Sequence, residues 1–189
     1  MNTQIKDLEV MDYPPLTEDL EEAKEHLDLY GMALIKNVLS TDEVNQMDER
    51  LTEQFFGEEK HQVGSKVRGD EGLGAESSEE EKVSRLVWNL INKGDCFLKL
   101  IDHPKILPLI QHIIGDRVCL CSMGAHMNGS GNERMALHQD QWPLVPHPMD
   151  FAFMANVMYL ISDNSQENGG TRLIPGSHKW PALDYKTAN

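Results

Sequence analysis

The apolar periodicity of this chain changes once, and that change limits the folds open to it. Up to about residue 116 the apolar side chains recur at helical spacing; beyond it they fall into short runs of strand length. Thr17 is the expected N-cap of a first helix, and Glu18, Asp19, Glu21 and Glu22 place carboxylates at the positive end of its dipole. Gly31 should stop that helix, and Met32 to Val38 then reads as a short strand. Ser40 with Glu43 forms a capping box, opening a second helix whose apolar face is Val44, Met47, Leu51 and Phe55. From His61 to Lys82 the character is different. Gly64, Gly69, Gly72 and Gly74 sit among charged residues that end in Ser77-Ser78-Glu79-Glu80-Glu81, which predicts a mobile loop. It is either a plain surface loop or a lid over an active site. Val83 to Ile91 resumes a helical pattern through Val83, Leu86, Val87 and Leu90. Pro104 fits the first turn of a further helix, with Ile106, Leu109, Ile110 and Ile113 on its face and Gly115 after it.

After that point Arg117 to Met127 reads as a strand, Phe151 to Ile161 as a second and Thr171 to Ile174 as a short third, with a turn-rich Asp163 to Gly170 between the last two. Helices first and strands afterwards predict an α+β or mainly β class. The length is that of one domain, 1–189: a helical part over 1–116 containing the loop 61–82, then the strand-bearing part over 117–189.

Composition removes several function classes. No apolar run reaches the roughly 18 residues that a membrane helix needs, and Met1 to Glu25 has neither the basic start nor the apolar stretch of a signal peptide. A formal net charge of −14 repels nucleic-acid backbones and anionic membranes. Cys96, Cys119 and Cys121 make an odd count without framework spacing. The latter two, alternating along an expected strand, read as buried thiols rather than zinc ligands. The expectation is a reduced, cytoplasmic protein that meets small molecules, with no nucleic-acid or membrane partner. The oligomeric state is not legible.

Chemistry enters at His138-Gln139-Asp140. In an extended segment residues i and i+2 point to the same side, so this imidazole and this carboxylate can converge. They are two members of the 2-His-1-carboxylate arrangement, which leaves three positions on iron(II) for a bidentate 2-oxo acid and dioxygen. The spacing alone is a weak signal, because a hydrogen-bonded surface pair has it too.

Its context is more specific. Leu137-His138-Gln139-Asp140-Gln141-Trp142-Pro143 is followed by Glu167-Asn168-Gly169-Gly170-Thr171-Arg172-Leu173-Ile174-Pro175-Gly176-Ser177-His178-Lys179. Together with Tyr30-Gly31 to Ser40, Arg85-Leu86-Val87-Trp88-Asn89-Leu90 and Asp102-His103-Pro104, these stretches resemble the phytanoyl-CoA dioxygenase family from about Leu27 to Trp180. The resemblance implies a double-stranded β-helix (jelly-roll, cupin-like) with helices packed against it. It also implies iron(II), 2-oxoglutarate as co-substrate and dioxygen, with ascorbate as a reductant. The reaction implied is hydroxylation of a small molecule coupled to oxidative decarboxylation of 2-oxoglutarate to succinate.

Carried over by position, His138 and Asp140 match two iron ligands, and a carboxylate there argues against the halogenating variants of the chemistry. Arg85 matches a basic position near 2-oxoglutarate, with a surface helix residue as the alternative. Met123 and Met158 match positions lining the co-substrate pocket, with ordinary core packing as the alternative. Gln139, Gln141 and Trp142 flank the site. His178 is expected to close a turn after Pro175-Gly176 rather than to bind metal. His126 reads as a core or surface residue, His147 as a loop residue, and His26, His61, His103 and His112 as surface or capping residues. The family's third ligand is a histidine beyond this turn, followed by an arginine that pairs with 2-oxoglutarate. Because the chain ends eleven residues after His178, the expectation is a C-terminally truncated fragment lacking the closing strands. It would be inactive alone, its parent a dioxygenase. The competing reading is a non-catalytic binding module on the same scaffold.

Overall fold

A computed structural model describes residues 11–68, 72–73, 84–128, 138, 140 and 151–180. Strand β1 (Leu16–Thr17) and helix α1 (Leu20–Tyr30) open this part of the chain. Asp19, not Thr17, caps α1, its carboxylate accepting from the backbone N–H groups of Glu21 and Glu22. Thr17 is instead buried, because β1 pairs in parallel with β2 (Leu34–Ile35), and its hydroxyl is taken by the Glu22 carboxylate and the Asp19 N–H. Gly31 ends α1 in the left-handed region, φ 72°, where a side chain would be strained, and its N–H returns to the Leu27 carbonyl.

Helix α2 (Thr41–Lys60) begins with the expected capping box: Ser40 Oγ accepts from Glu43 N, and Glu43 Oε2 accepts from Ser40 N at 2.8 Å. The bonds that the Glu43 carboxylate accepts, first from Ser40 N and then from Ser40 Oγ, hold it below its ordinary range. His61 closes the helix at its other end.

The next region departs from expectation twice. Part of the loop expected over 61–82 is two strands, β3 (Ser65–Arg68) and β4 (Gly72–Leu73), while 69–71 and 74–83 lie outside the described residues. The helix expected over Val83–Ile91 is strand β5 (Ser84–Val87) followed by a 3₁₀ turn at Leu90–Asn92. The adjacent apolar pair Leu86-Val87 suits a strand covered on both faces as well as a helix face, and both residues are buried. The partner strands decide, and nothing local announces them. With β6 (Ala125–Met127) these strands form an antiparallel sheet of order β4-β3-β5-β6.

The core lies where α2 meets β5. Met47, Phe55, Val87, Leu90 and Leu100 surround Cys96 and Phe97 of the short helix α3 (Asp95–Leu98), and Met123, Ala125, Tyr159 and Ile161 pack against that cluster. Helix α4 (Leu107–Ile114) has Pro108 in its first turn; Pro104 belongs to the preceding turn, where the Ile106 and Leu107 N–H groups bond the His103 carbonyl. α4 packs on α1, joined by His112 Nε2 and Asp28 Oδ1 at 2.9 Å. His26, expected at the surface, is buried in α1 with its ring edge-on to Tyr30.

Of the three strands expected after residue 116, only Ala125–Met127 carries ladder hydrogen bonds; 117–124, 151–161 and 171–174 are irregular. Cys119 and Cys121 are exposed, not buried; among the described residues no strand pairs with their segment. The observed architecture is a mixed helix–strand fold with two small sheets. Among the described residues these sheets do not close into a jelly roll. Nor is any described helix long and apolar enough to cross a membrane.

Candidate functional site

His138 and Asp140 converge. The imidazole Nε2 lies 3.2 Å from Asp140 Oδ1, with both side chains about half exposed. The other carboxylate oxygen, Oδ2, accepts a hydrogen bond from Asn156 Nδ2 at 2.6 Å. Each oxygen of Asp140 thus has its own partner, one on either side.

For the remaining sequence-derived candidates the contacts are with other groups. Arg85 is on β5, where its Nη2 lies 3.3 Å from Glu59 Oε1 of α2 and its Nε is buried without a hydrogen-bond partner. By strand parity it shares a face with Val87, which is fully buried in the cluster against α2. Met123 packs on the same cluster, and its carbonyl accepts from Leu90 N. Met158 is 54 % exposed. Between Met158 and Ile161 burial alternates as it does along a strand, Tyr159 and Ile161 turning to the core and Met158 and Leu160 away from it. Asn156, Val157 and Met158 are all exposed. His126 faces away from Arg85 on β6, and partial burial holds its imidazole below the usual value. Gln139, Gln141, Trp142 and His147 lie outside the described residues. Among those described, no three His, Cys, Asp or Glu side chains are grouped to hold a metal ion.

Asn156 is the residue that sequence reasoning missed. A signal was present: it is the one amide in the apolar run Phe151-Ala152-Phe153-Met154-Ala155-Asn156-Val157-Met158. An amide in such a run needs a partner.

The downstream motif has a structural explanation. Asn168 ties its own turn, its Oδ1 accepting from Ser165 N at 2.7 Å while its Nδ2 donates to the Asp163 carbonyl. Asn128, just past β6, donates to the Gly169 carbonyl at 2.8 Å. Ser177–Lys179 forms a 3₁₀ turn that docks on the end of α1: Gly176 N donates to the Tyr30 carbonyl at 2.7 Å, and the His178 ring covers Gly31 so closely that a Cβ there would collide with it. Burial is the first cause holding the His178 imidazole below its ordinary value. Tyr13 clamps the same segment, its hydroxyl donating to the Leu173 carbonyl at 2.9 Å.

Two of the stretches that carry the resemblance, Tyr30-Gly31 and Pro175-Gly176-Ser177-His178, are therefore in contact. The model of the phytanoyl-CoA dioxygenase (PhyH) family matches residues 27–188 and so spans both, with His138, Asp140 and Asn156 between them. The chain belongs to the phytanoyl-CoA dioxygenase family. Its relatives are dioxygenases by name. Dioxygenase af480 of Aspergillus fumigatus is 29 % identical over 165 residues, covering 87 % of this chain and 51 % of the relative. A probable alpha-ketoglutarate-dependent hypophosphite dioxygenase of Stutzerimonas stutzeri is 25 % identical over 173 residues, covering 88 % and 56 %. Dioxygenase sphC of Aspergillus fumigatus is 26 % identical over 172 residues, covering 86 % and 46 %. The chain spans about half the length of these curated relatives. No solved structure matches it.

Proposed function

We propose that this chain carries two of the metal ligands, His138 and Asp140, of an iron(II)- and 2-oxoglutarate-dependent oxygenase that hydroxylates a small molecule. The observation that carries the reading is the approach of Nε2 to Oδ1 within a family match. Their 3.2 Å separation is close to the roughly 3.0 Å between adjacent positions on a six-coordinate ion with bonds of about 2.1 Å. A nitrogen and a carboxylate oxygen, both accessible, are a donor set that suits iron(II). The relative named as alpha-ketoglutarate-dependent supports the choice of co-substrate.

In this reading His138 is neutral with its proton on Nδ1, leaving the Nε2 lone pair for the metal. Asp140 presents Oδ1 beside it. When bound, the metal supplies the redox chemistry that couples decarboxylation of 2-oxoglutarate to hydroxylation by dioxygen. The half-exposed position of both side chains leaves room for co-substrate and substrate next to them. Arg85 would hold a carboxylate of 2-oxoglutarate, which requires its guanidinium to exchange Glu59 for the new partner. Met123 and Met158 would border the same pocket. The scaffold we propose for this site is the double-stranded β-helix of the cupin type, carried by one domain to which the whole chain contributes.

Succinate release from 2-oxoglutarate by the full-length protein, with iron(II) and ascorbate supplied, tests the proposal. The expected result is turnover that His138→Ala and Asp140→Ala each reduce by about 100-fold or more; unchanged turnover in His138→Ala would sink the assignment. The alternative is a non-catalytic binding module on the same scaffold. Metal binding with no succinate release would select it.

A further inference from the structure

We infer that Asn156 is a positioning residue that makes Asp140 a one-oxygen ligand; the inference rests on the metal-centre reading above. A free carboxylate next to a cation can bind through one oxygen or both. Asp140 is not free. Its Oδ2 is held by the Asn156 amide at 2.6 Å, in the range of charge-assisted bonds, and its Oδ1 is the oxygen turned to His138 Nε2. The amide orientation follows from charge, since the opposite one would set Asn156 Oδ1 against the carboxylate.

Counting positions shows the consequence. In a 2-His-1-carboxylate centre two imidazoles and one oxygen of Asp140 take three of six positions; binding through both oxygens takes a fourth. A site that must also hold a bidentate 2-oxo acid and dioxygen has no position to spare. Asn156 opposes that loss by keeping Oδ2 occupied. The bond bridges sixteen residues, so it also fixes where the segment carrying Met158 sits relative to Asp140.

Cobalt(II) titration of the metal-free chain tests this without turnover. Asn156→Ala should weaken cobalt binding about 10-fold or more, the range for outer-sphere partners of metal ligands, with the melting temperature of the metal-free form unchanged. Difference infrared spectra of ¹³C-aspartate-labelled protein with cobalt bound should show the separation of the two carboxylate stretches narrowing as Asp140 begins to bind through both oxygens. Wild-type affinity and an unchanged stretch separation in Asn156→Ala would overturn the inference. His138→Ala and Asp140→Ala separate the two failures. If they abolish cobalt binding while Asn156→Ala does not weaken it, only the inference falls. If they too bind as the wild type does, the metal-centre reading falls with it.

Discussion

The stretch from Leu20 to Leu100 and the stretch from Arg117 to Trp180 satisfy their backbones by different means. In the first, helices carry side-chain caps, strands pair in a ladder, and Met47, Val87 and Phe97 are almost wholly removed from water. In the second, among the described residues only Ala125–Met127 joins a ladder, and single side-chain bonds tie the chain: Asn168 to its own turn, Asn128 to Gly169, Asn156 to Asp140, Tyr159 to the Leu100 carbonyl. Phe151, Met158, Leu160 and Leu173 are largely exposed there. The candidate chemistry lies in this second stretch, and it borrows its rigidity. Tyr159 and Ile161 insert into the α2–β5 core, and the Ser177–Lys179 turn leans on the end of α1. Stability and chemistry are thus divided between the two stretches and joined at a few contacts.

The largest test of that division is Phe97→Ala, which empties the centre of the core. It should cost about 3–5 kcal/mol in equilibrium urea unfolding, and a loss under 1 kcal/mol would mean that the α2–β5 cluster is not the seat of stability. Gly31→Ala acts at the join. It forces a side chain into a left-handed conformation, a cost of roughly 1–2 kcal/mol, and drives it into His178. His178→Ala in the same chain should recover part of the loss; strictly additive losses would show that the two do not touch. Ser40→Ala removes an N-cap for about 1 kcal/mol, confined to the first stretch.

Tyr159→Phe cuts one tie between the stretches, for about 1 kcal/mol. It also carries a pH signature. Burial pushes the Tyr159 hydroxyl up to about 12, whereas in the unfolded chain it ionises near 10. A raised folded value means stability that is complete below pH 10 and lost as pH rises through 12. Unfolding measured across that window should decline in the wild type and decline less in Tyr159→Phe. Leu160→Ala should have the smallest effect, within about 0.5 kcal/mol, because its side chain is already in water; a core-sized loss would erase the contrast.

What the sequence determined by itself is local. The capping box at Ser40, the stop at Gly31, the apolar face of α4 and the approach of His138 to Asp140 all rest on groups a few residues apart, so spacing suffices to read them. Family membership was legible for a related reason: the motifs are runs of adjacent residues. What the tertiary structure decided is pairing between residues far apart. β5 is a strand because β3 and β6 lie beside it, although Leu86 and Val87 would also suit a helix. Cys119 and Cys121, expected in a buried strand, are exposed where no ladder forms among the described residues, and His26 of α1 is buried. Asn156 became informative when the fold brought Asp140 to its amide, and Gly31 acquired a second constraint when the fold laid His178 across it. A side chain's hydrogen-bonding capacity is written in the sequence; which partner satisfies it, and which surface water is kept from, depends on the whole chain's packing.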